Sequence, residues 1–296
     1  MSSDAFSRRH PLVNFLFFLG AICFSAVIQH PAYLLAGFCG STLYFLLLKG
    51  RAGWRLLLGM MPLFLFLAAI NPLFNIYGET VLFSVFGRPY TREALIYGAA
   101  MGAVLVVMLL WFGCCNEVLT SDKFTSLFGN LIPALSLLLV MVLRMIPNLM
   151  RKANQLLGVR KSIGKGADDT ASNREKLSDG MVVLSALTDW ALEGSVVTGD
   201  SMRSRGYGTA RRTSFLIYRM TGIDVFLLVL QLVLMAAVLV TAMLGGTTAV
   251  FTPSLSLAPV TGGYLPGFVS YCAYLLIPTV LHIKEAVQWH ISRSKI

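Results

Sequence analysis

Few residues of this chain are spaced for chemistry. "GVRKSIGKG" (158–166) has the glycines and lysine of a phosphate-cradling loop. Such a loop needs four residues between its glycines, followed by Gly-Lys-Ser/Thr. Here five separate Gly158 from Gly164, Gly166 follows Lys165, and no strand signal precedes the stretch, so nucleotide binding is not expected. Glu193 and Asp200 can share a helical face, as an acid–base pair or as a solvated face. His10, His30, His282 and His290 show no metal-ligand spacing, and no nucleophile stands beside a base. Cys23, Cys39, Cys114, Cys115 and Cys272 form no C-x-x-C pair, and four of them lie within or at the ends of apolar runs, as packing residues do. No catalytic, cofactor or metal residue is assigned, and a non-catalytic chain is expected.

The remaining candidates are basic and end in glycine: "VRKSIG" at 159–164 and "MRSRGYG" at 202–208. Cations stabilise a helix C-terminus and a following glycine stops the helix, so each stretch reads first as a helix end. Two such ends in one polar region also allow a second reading. An arginine at an exposed tip can bind a carboxylate of a partner bidentately.

The elements that must carry these tips follow from composition. The 296 residues are 56% hydrophobic and 13% charged, the mean hydropathy is +0.72 and the net charge is +10. This excludes an ordinary soluble domain and points to an all-α polytopic membrane protein with basic cytoplasmic loops rather than to nucleic-acid binding. About six transmembrane helices are expected, near 12–28, 31–48, 54–76, 94–113, 223–244 and 264–283. Asn71-Pro72 is expected to break the third, and Asp224 to open the fifth. Arg8 and Arg9 precede the first run as in a signal peptide, but no small-residue cleavage site closes it, so a retained anchor is expected.

With the N-terminus inside, the short inner segments hold eight Lys and Arg (Arg8, Arg9, Lys49, Arg51, Arg55, Lys284, Arg293, Lys295) and the outer loops two (Arg88, Arg92). Both termini are then cytoplasmic. The span cores lack Asp, Glu, Lys and Arg, which suits a scaffold better than an ion-coupled transporter. Three regions result: 1–113 with four spans, a cytoplasmic region 114–222, and 223–296 with two spans.

The cytoplasmic region carries 13 of the 24 Lys and Arg between Arg144 and Arg219, against seven acids. A short amphipathic helix is expected at 117–128, then a long one from about 131 to Ile163 whose apolar start, "LIPALSLLLVMVL", lies obliquely at the membrane surface. A polar linker at 164–180 precedes a second long helix from about Met181 to Arg205. The first carries a loose stripe of Ile146, Leu149, Ala153, Leu156 and Ile163. The second carries Leu184, Leu187, Ala191, Gly194, Val197 and Met202.

Three stretches carry a family resemblance: "SDKFTSLFGNLIPALSLLLVMVLRMIPNLMRKANQL" (121–156), "ALEGSVVTGDSMRSRGYGTARRTSFLIYR" (191–219) and, more weakly, "NPLFN" (71–75). Over about a quarter of its length the chain resembles the transmembrane T component of energy-coupling factor (ECF) transporters, with "DSMRSRGYG" the most specific piece. The resemblance implies two long cytoplasmic coupling helices, each ending in an Ala-Arg-Gly-like tripeptide seated on one of two ABC ATPase subunits. Their shafts would contact a membrane S component that binds a vitamin or a cobalt or nickel ion. Ser204-Arg205-Gly206, flanked by Arg203 and Tyr207, corresponds to the second tripeptide. Ser162-Ile163-Gly164 corresponds to the first, with Ile163 in the arginine position and Arg160 or Lys161 left to supply the charge. ATP and magnesium would reside on the partners, none in this chain, and the protein would lie in a prokaryotic cytoplasmic membrane. A permease subunit of an ordinary ABC importer, or a membrane enzyme, stays open as an alternative.

Overall fold

The computed structural model describes residues 4–75, 80–85, 88–129, 133–166, 172–209, 218–251 and 256–293. Gly78, Ala171 and Arg211, as well as parts of the 131–143 run and the 164–180 linker, lie outside them. In chain order the elements are α1 (Pro11–Val27), α2 (Pro31–Lys49), α3 (Arg51–Phe74), β1 (Val81–Val85), β2 (Arg88–Thr91), α4 (Arg92–Val118), α5 (Ser121–Gly129), α6 (Pro133–Ser162), α7 (Asn173–Ser204), α8 (Gly222–Met243) and α9 (Leu265–Arg293). β1 and β2 form an antiparallel hairpin that the sequence reading does not foresee, and Ala249–Val250 pairs with Ser256–Leu257 in the same sense. Two compact units result: residues 1–124 with 218–296, and residues 125–217.

The chain is a helical, multi-pass membrane protein: among the described residues six helices are long and apolar enough to cross a bilayer. Five of them are α2, α3, α4, α8 and the stretch Gly262–Trp289, which holds most of α9. The sixth is α7, whose best window has a mean hydropathy of 1.3, whereas α1, expected as a span, has 17 residues and falls just short. The number six therefore agrees, and its membership differs by one helix.

Helix starts in the first unit are set by local chemistry. His10 and His30 cap α1 and α2, each Nδ1 accepting an N–H (Leu12 and Ala32, both at 3.2 Å), with a proline next in sequence. Proline lacks an N–H and holds φ near its helical value, which suits the first turn. An accepting Nδ1 leaves the proton of a neutral ring on Nε2, which in His30 donates to the Ala258 carbonyl at 3.0 Å. Thr221 caps α8, exchanging hydrogen bonds with Asp224, so the helix opens at Gly222 and Asp224 is its third residue. Asn71-Pro72 does not break α3. The helix runs on to Phe74 with Pro62 and Pro72 inside it, and Asn75 Nδ2 donates to Asn71 Oδ1 at 3.0 Å in the last turn. The fourth span is longer than its apolar run, continuing to Val118 before α5 begins.

The core of this unit is aromatic. Phe17 stacks on Tyr274 at 5.1 Å and meets Trp111 and Phe18 edge-on, and Phe6, Tyr44, Tyr33 and Tyr271 extend the cluster. Lipid cannot drive helices together by hydrophobicity, so close packing must. Glycine supplies it between α3 and α4: a Cβ on Gly98 would lie 2.8 Å from the Ala68 carbonyl oxygen, and one on Gly102 would lie 3.1 Å from the Phe64 ring. Gly98→Leu is therefore expected to cost about 1–3 kcal/mol through overpacking. Thermal unfolding in detergent checks this, with Gly59→Leu, which meets open space, as the near-neutral control.

Candidate functional site

The second unit is an α6–α7 helical pair. Two side-chain ties fix its register: Arg160 of α6 forms an ion pair with Asp179 of α7, and Lys152 lies over the Trp190 ring at 5.4 Å. As the α6 number falls the α7 number rises, so the helices are antiparallel. The faces that meet are only partly those expected. Leu149, Ala153 and Leu156 of α6 and Leu187, Ala191 and Gly194 of α7 are at least partly covered. Ile146 and Ile163, Leu184 and Val197 are exposed instead. The covered row on α7 runs through Asp179 and Val183 to Leu187, because the polar Asp179 is drawn inward by Arg160.

α7 starts at Asn173, not near Met181. Ser172 accepts from the Glu175 N–H while Glu175 accepts from the Ser172 N–H at 2.9 Å, a reciprocal cap that carries the helix eight residues further back.

Both candidate tips close in the same geometry. At the end of α7, Gly206 has φ +76°, its N–H donates to the Arg203 carbonyl at 3.0 Å and the Tyr207 N–H to the Met202 carbonyl at 3.1 Å. At the end of α6, Gly164 has φ +71°, its N–H donates to the Lys161 carbonyl at 3.1 Å and the Lys165 N–H to the Arg160 carbonyl at 2.9 Å. These paired bonds define the Schellman ending, whose left-handed residue is cheapest as glycine. Ser162-Ile163-Gly164 and Ser204-Arg205-Gly206 thus occupy equivalent positions, with Ile163 and Arg205 as the cap residues.

The two caps differ in what they present. Arg203, Arg205 and Tyr207 are exposed, with the Tyr207 ring the largest apolar surface beside the arginines. At the other tip Ile163 is 61% exposed, and the basic residue nearest in space to an acid is already committed. Arg160 pairs with Asp179 and donates a second bond, 3.1 Å, to the Lys165 carbonyl. It therefore braces α6 against α7. Lys161 is exposed beside it and does interact within the protein. Glu193 and Asp200 are exposed on α7, as a solvated face would be.

The structure does not bring the two tips together. With Arg160 beside Asp179, the α6 tip lies near the start of α7, and the α7 tip lies at its far end. The helical rise of about 1.5 Å per residue puts Arg205 roughly 39 Å from Asp179 along the axis.

The brace is open to a direct test. Removing Arg160 takes its charged partner from the buried Asp179 carboxylate, and Arg160→Met is expected to destabilise the helical pair by about 1–3 kcal/mol. Asp179→Asn in the Arg160→Met background should recover most of that loss, which a double-mutant cycle on unfolding measures. Full additivity of the two changes would mean that no such coupling exists.

Sequence reasoning missed Asp179 and Trp190 as partners because charge and aromaticity alone do not reveal register between two helices. It also missed Asp4 and Lys123, which lie before and between the apolar runs and are both buried. Compared with models of known families and with curated proteins, the chain matches no family model and no curated sequence.

Proposed function

We propose that this chain is the membrane coupling subunit of an ATP-driven importer of the energy-coupling factor type. In this reading α6 and α7 are cytoplasmic arms, their tips dock on two ATPase subunits, and a separate membrane S component holds the substrate. The observation that carries the reading is the pair of equivalent glycine-ended tips at opposite ends of one antiparallel helical pair. Tips roughly 39 Å apart suit two separate docking sites better than one. The resemblance of 121–156 and 191–219 to the T component supports it independently of that geometry.

The tips also indicate unlike partners. Arg205, beside Arg203, suits a groove lined by carboxylates. Ile163 suits an apolar socket, with Lys161 at its edge. Two different ATPases, or two different grooves, are then expected. Purification of the chain from its native membrane under mild detergent should recover two ATP-binding subunits and a small membrane protein. Recovery of the chain with no ATP-binding subunit would remove the reading.

One observation favours a second reading. α7 is apolar enough to cross a membrane, and Leu177, Met181, Leu184, Leu192, Val196 and Val197 are all exposed on it. An α7 that spans the bilayer would place its ends on opposite sides and favour a permease that forms its own substrate path. Cysteines replacing Ala171 and Thr209 in a cysteine-free background separate the two. The coupling reading expects both to react only from the cytoplasmic side, with Thr261→Cys reacting from outside. Labelling of Ala171→Cys and Thr209→Cys from opposite sides would establish the permease arrangement.

A further inference from the structure

The segment from Asp4 to Arg9, which precedes α1, is built into the first unit rather than lying on it. Phe6 is fully buried in the aromatic core, edge-on to Phe17, Phe18 and Tyr44 at 5.3, 6.0 and 6.4 Å. Asp4 is 2% exposed; its Oδ2 accepts from the Tyr44 hydroxyl of α2 at 2.5 Å and its Oδ1 bonds His282 Nδ1 of α9 at 2.6 Å. Arg8 pairs with Glu285, also on α9. The segment is thus riveted to α2 and α9 by its acidic and basic members alike.

Its other contacts are to the two places where the chain crosses between units. The chain leaves the first unit after Phe124 and returns at Tyr218. At the outgoing junction the Lys123 ammonium, buried, donates to the Ser7 carbonyl, to Ser7 Oγ at 2.9 Å and to the Val118 carbonyl in the last turn of α4 at 2.7 Å. Three acceptors match the three donors of a lysine ammonium. Burial lowers the Lys123 pKa, and the Asp4 carboxylate opposes that shift. At the returning junction the His10 ring meets the Tyr218 ring edge-on at 6.5 Å. Burial, and then the Asp122 carboxylate of the outgoing junction, raise the Tyr218 phenol pKa.

We propose that Asp4, Ser7 and Lys123 are positioning residues, and that the segment 4–10 is a strap holding both junctions of the 125–217 unit to α2 and α9 as one body. The role of this strap in coupling rests on the function proposed above, whereas the strap itself does not. If motion of the 125–217 unit is to reach the spans, its two roots must move with them; a slack root would dissipate the stroke. The strap supplies that stiffness through buried charge-assisted bonds, which are stronger and more directional than apolar packing.

Hydrogen exchange on the whole chain in detergent tests the strap, using a variant placed away from both junctions. Asp4→Ala removes the rivet to Tyr44 and His282 without touching a junction residue. It should speed exchange at least tenfold in both 119–124 and 218–222 while the interior of α4 stays protected. Lys123→Met should speed exchange at 119–124 to a similar degree. Unchanged exchange at both junctions in Asp4→Ala would overturn the strap, as would faster exchange confined to the neighbourhood of Asp4. If Asp4→Ala does not fold, Tyr44→Phe, which keeps the buried ring and removes one of the two rivet bonds, replaces it with the same two readouts. In reconstituted transporter, ATP hydrolysed per substrate imported should rise severalfold for Asp4→Ala with docking of the ATPases unchanged. Loosened junctions with an unaltered ratio would keep the strap and remove its coupling role. Loss of the coupling function as a whole would show instead in the Arg205 variants below.

Discussion

Arg205→Glu is expected to abolish substrate uptake while leaving expression and membrane insertion near normal. Arg205 is exposed at the cap of α7, after the last helical residue, so its change should leave the fold of either unit intact. Against a carboxylate-lined groove, the substitution replaces attraction by repulsion and leaves the partner's charge unpaired. Truncating one member of such a pair costs on the order of 2–5 kcal/mol. Docking of one ATPase should therefore weaken by roughly 30-fold to several thousand-fold. Arg205→Lys should be intermediate, because lysine keeps the charge and loses the planar fork. A cation that merely completes a helix end contributes only about 0.3–1 kcal/mol, so on that simpler account Arg205→Glu would be close to silent. Arg211→Glu, a charge beyond the glycine stop in the sequence, is the control. ATPase co-purification and uptake in the same membranes measure both effects.

Ile163→Asp should have an effect of similar size at the other tip, by a different route. An exposed isoleucine that enters an apolar socket contributes the burial of its side chain, about 1.5–3 kcal/mol. Aspartate loses that burial and adds the cost of a carboxylate with no partner, so docking of the second ATPase should fall by at least 100-fold. Ile163→Val should be nearly neutral. Ile163→Arg separates the alternatives further. If the two sockets are unlike, arginine at 163 fails as aspartate does; if they are alike, it improves docking. Each result is read from which ATPase is lost on purification, with the partner at Arg205 unchanged.

The parts of the molecule that could be read from sequence are those fixed by short-range rules. Span positions follow from apolar runs, and both tip glycines follow from a basic last turn with glycine beyond it. The Ser172–Glu175 and Thr221–Asp224 spacings were equally legible as caps. Reading 164–180 as a polar linker because of its composition obscured the first of them, and α7 consequently starts earlier than expected. Pro72 misled for a physical reason: a proline costs one hydrogen bond, and packing of α3 against Gly98 and Gly102 of α4 holds the helix through it. What the sequence withheld is register. Nothing local couples Arg160 to Asp179, Lys152 to Trp190 or Asp4 to His282, because each pair meets only after helices from separate parts of the chain have docked. The Arg160–Asp179 tie that braces α6 against α7 is therefore visible only in the structure.

On the function proposed above, the two tips touch two ATP-binding subunits. Photocrosslinking reads these contacts, with a benzophenone amino acid replacing Ile163 in one sample and Tyr207, beside Arg205, in another, both in native membranes. Each position should capture an ATP-binding subunit, the two subunits or the peptides captured should differ, and a probe replacing Gly59 in α3 should capture neither. Capture of lipid alone at both tips, or of no ATP-binding subunit at either, would contradict that function.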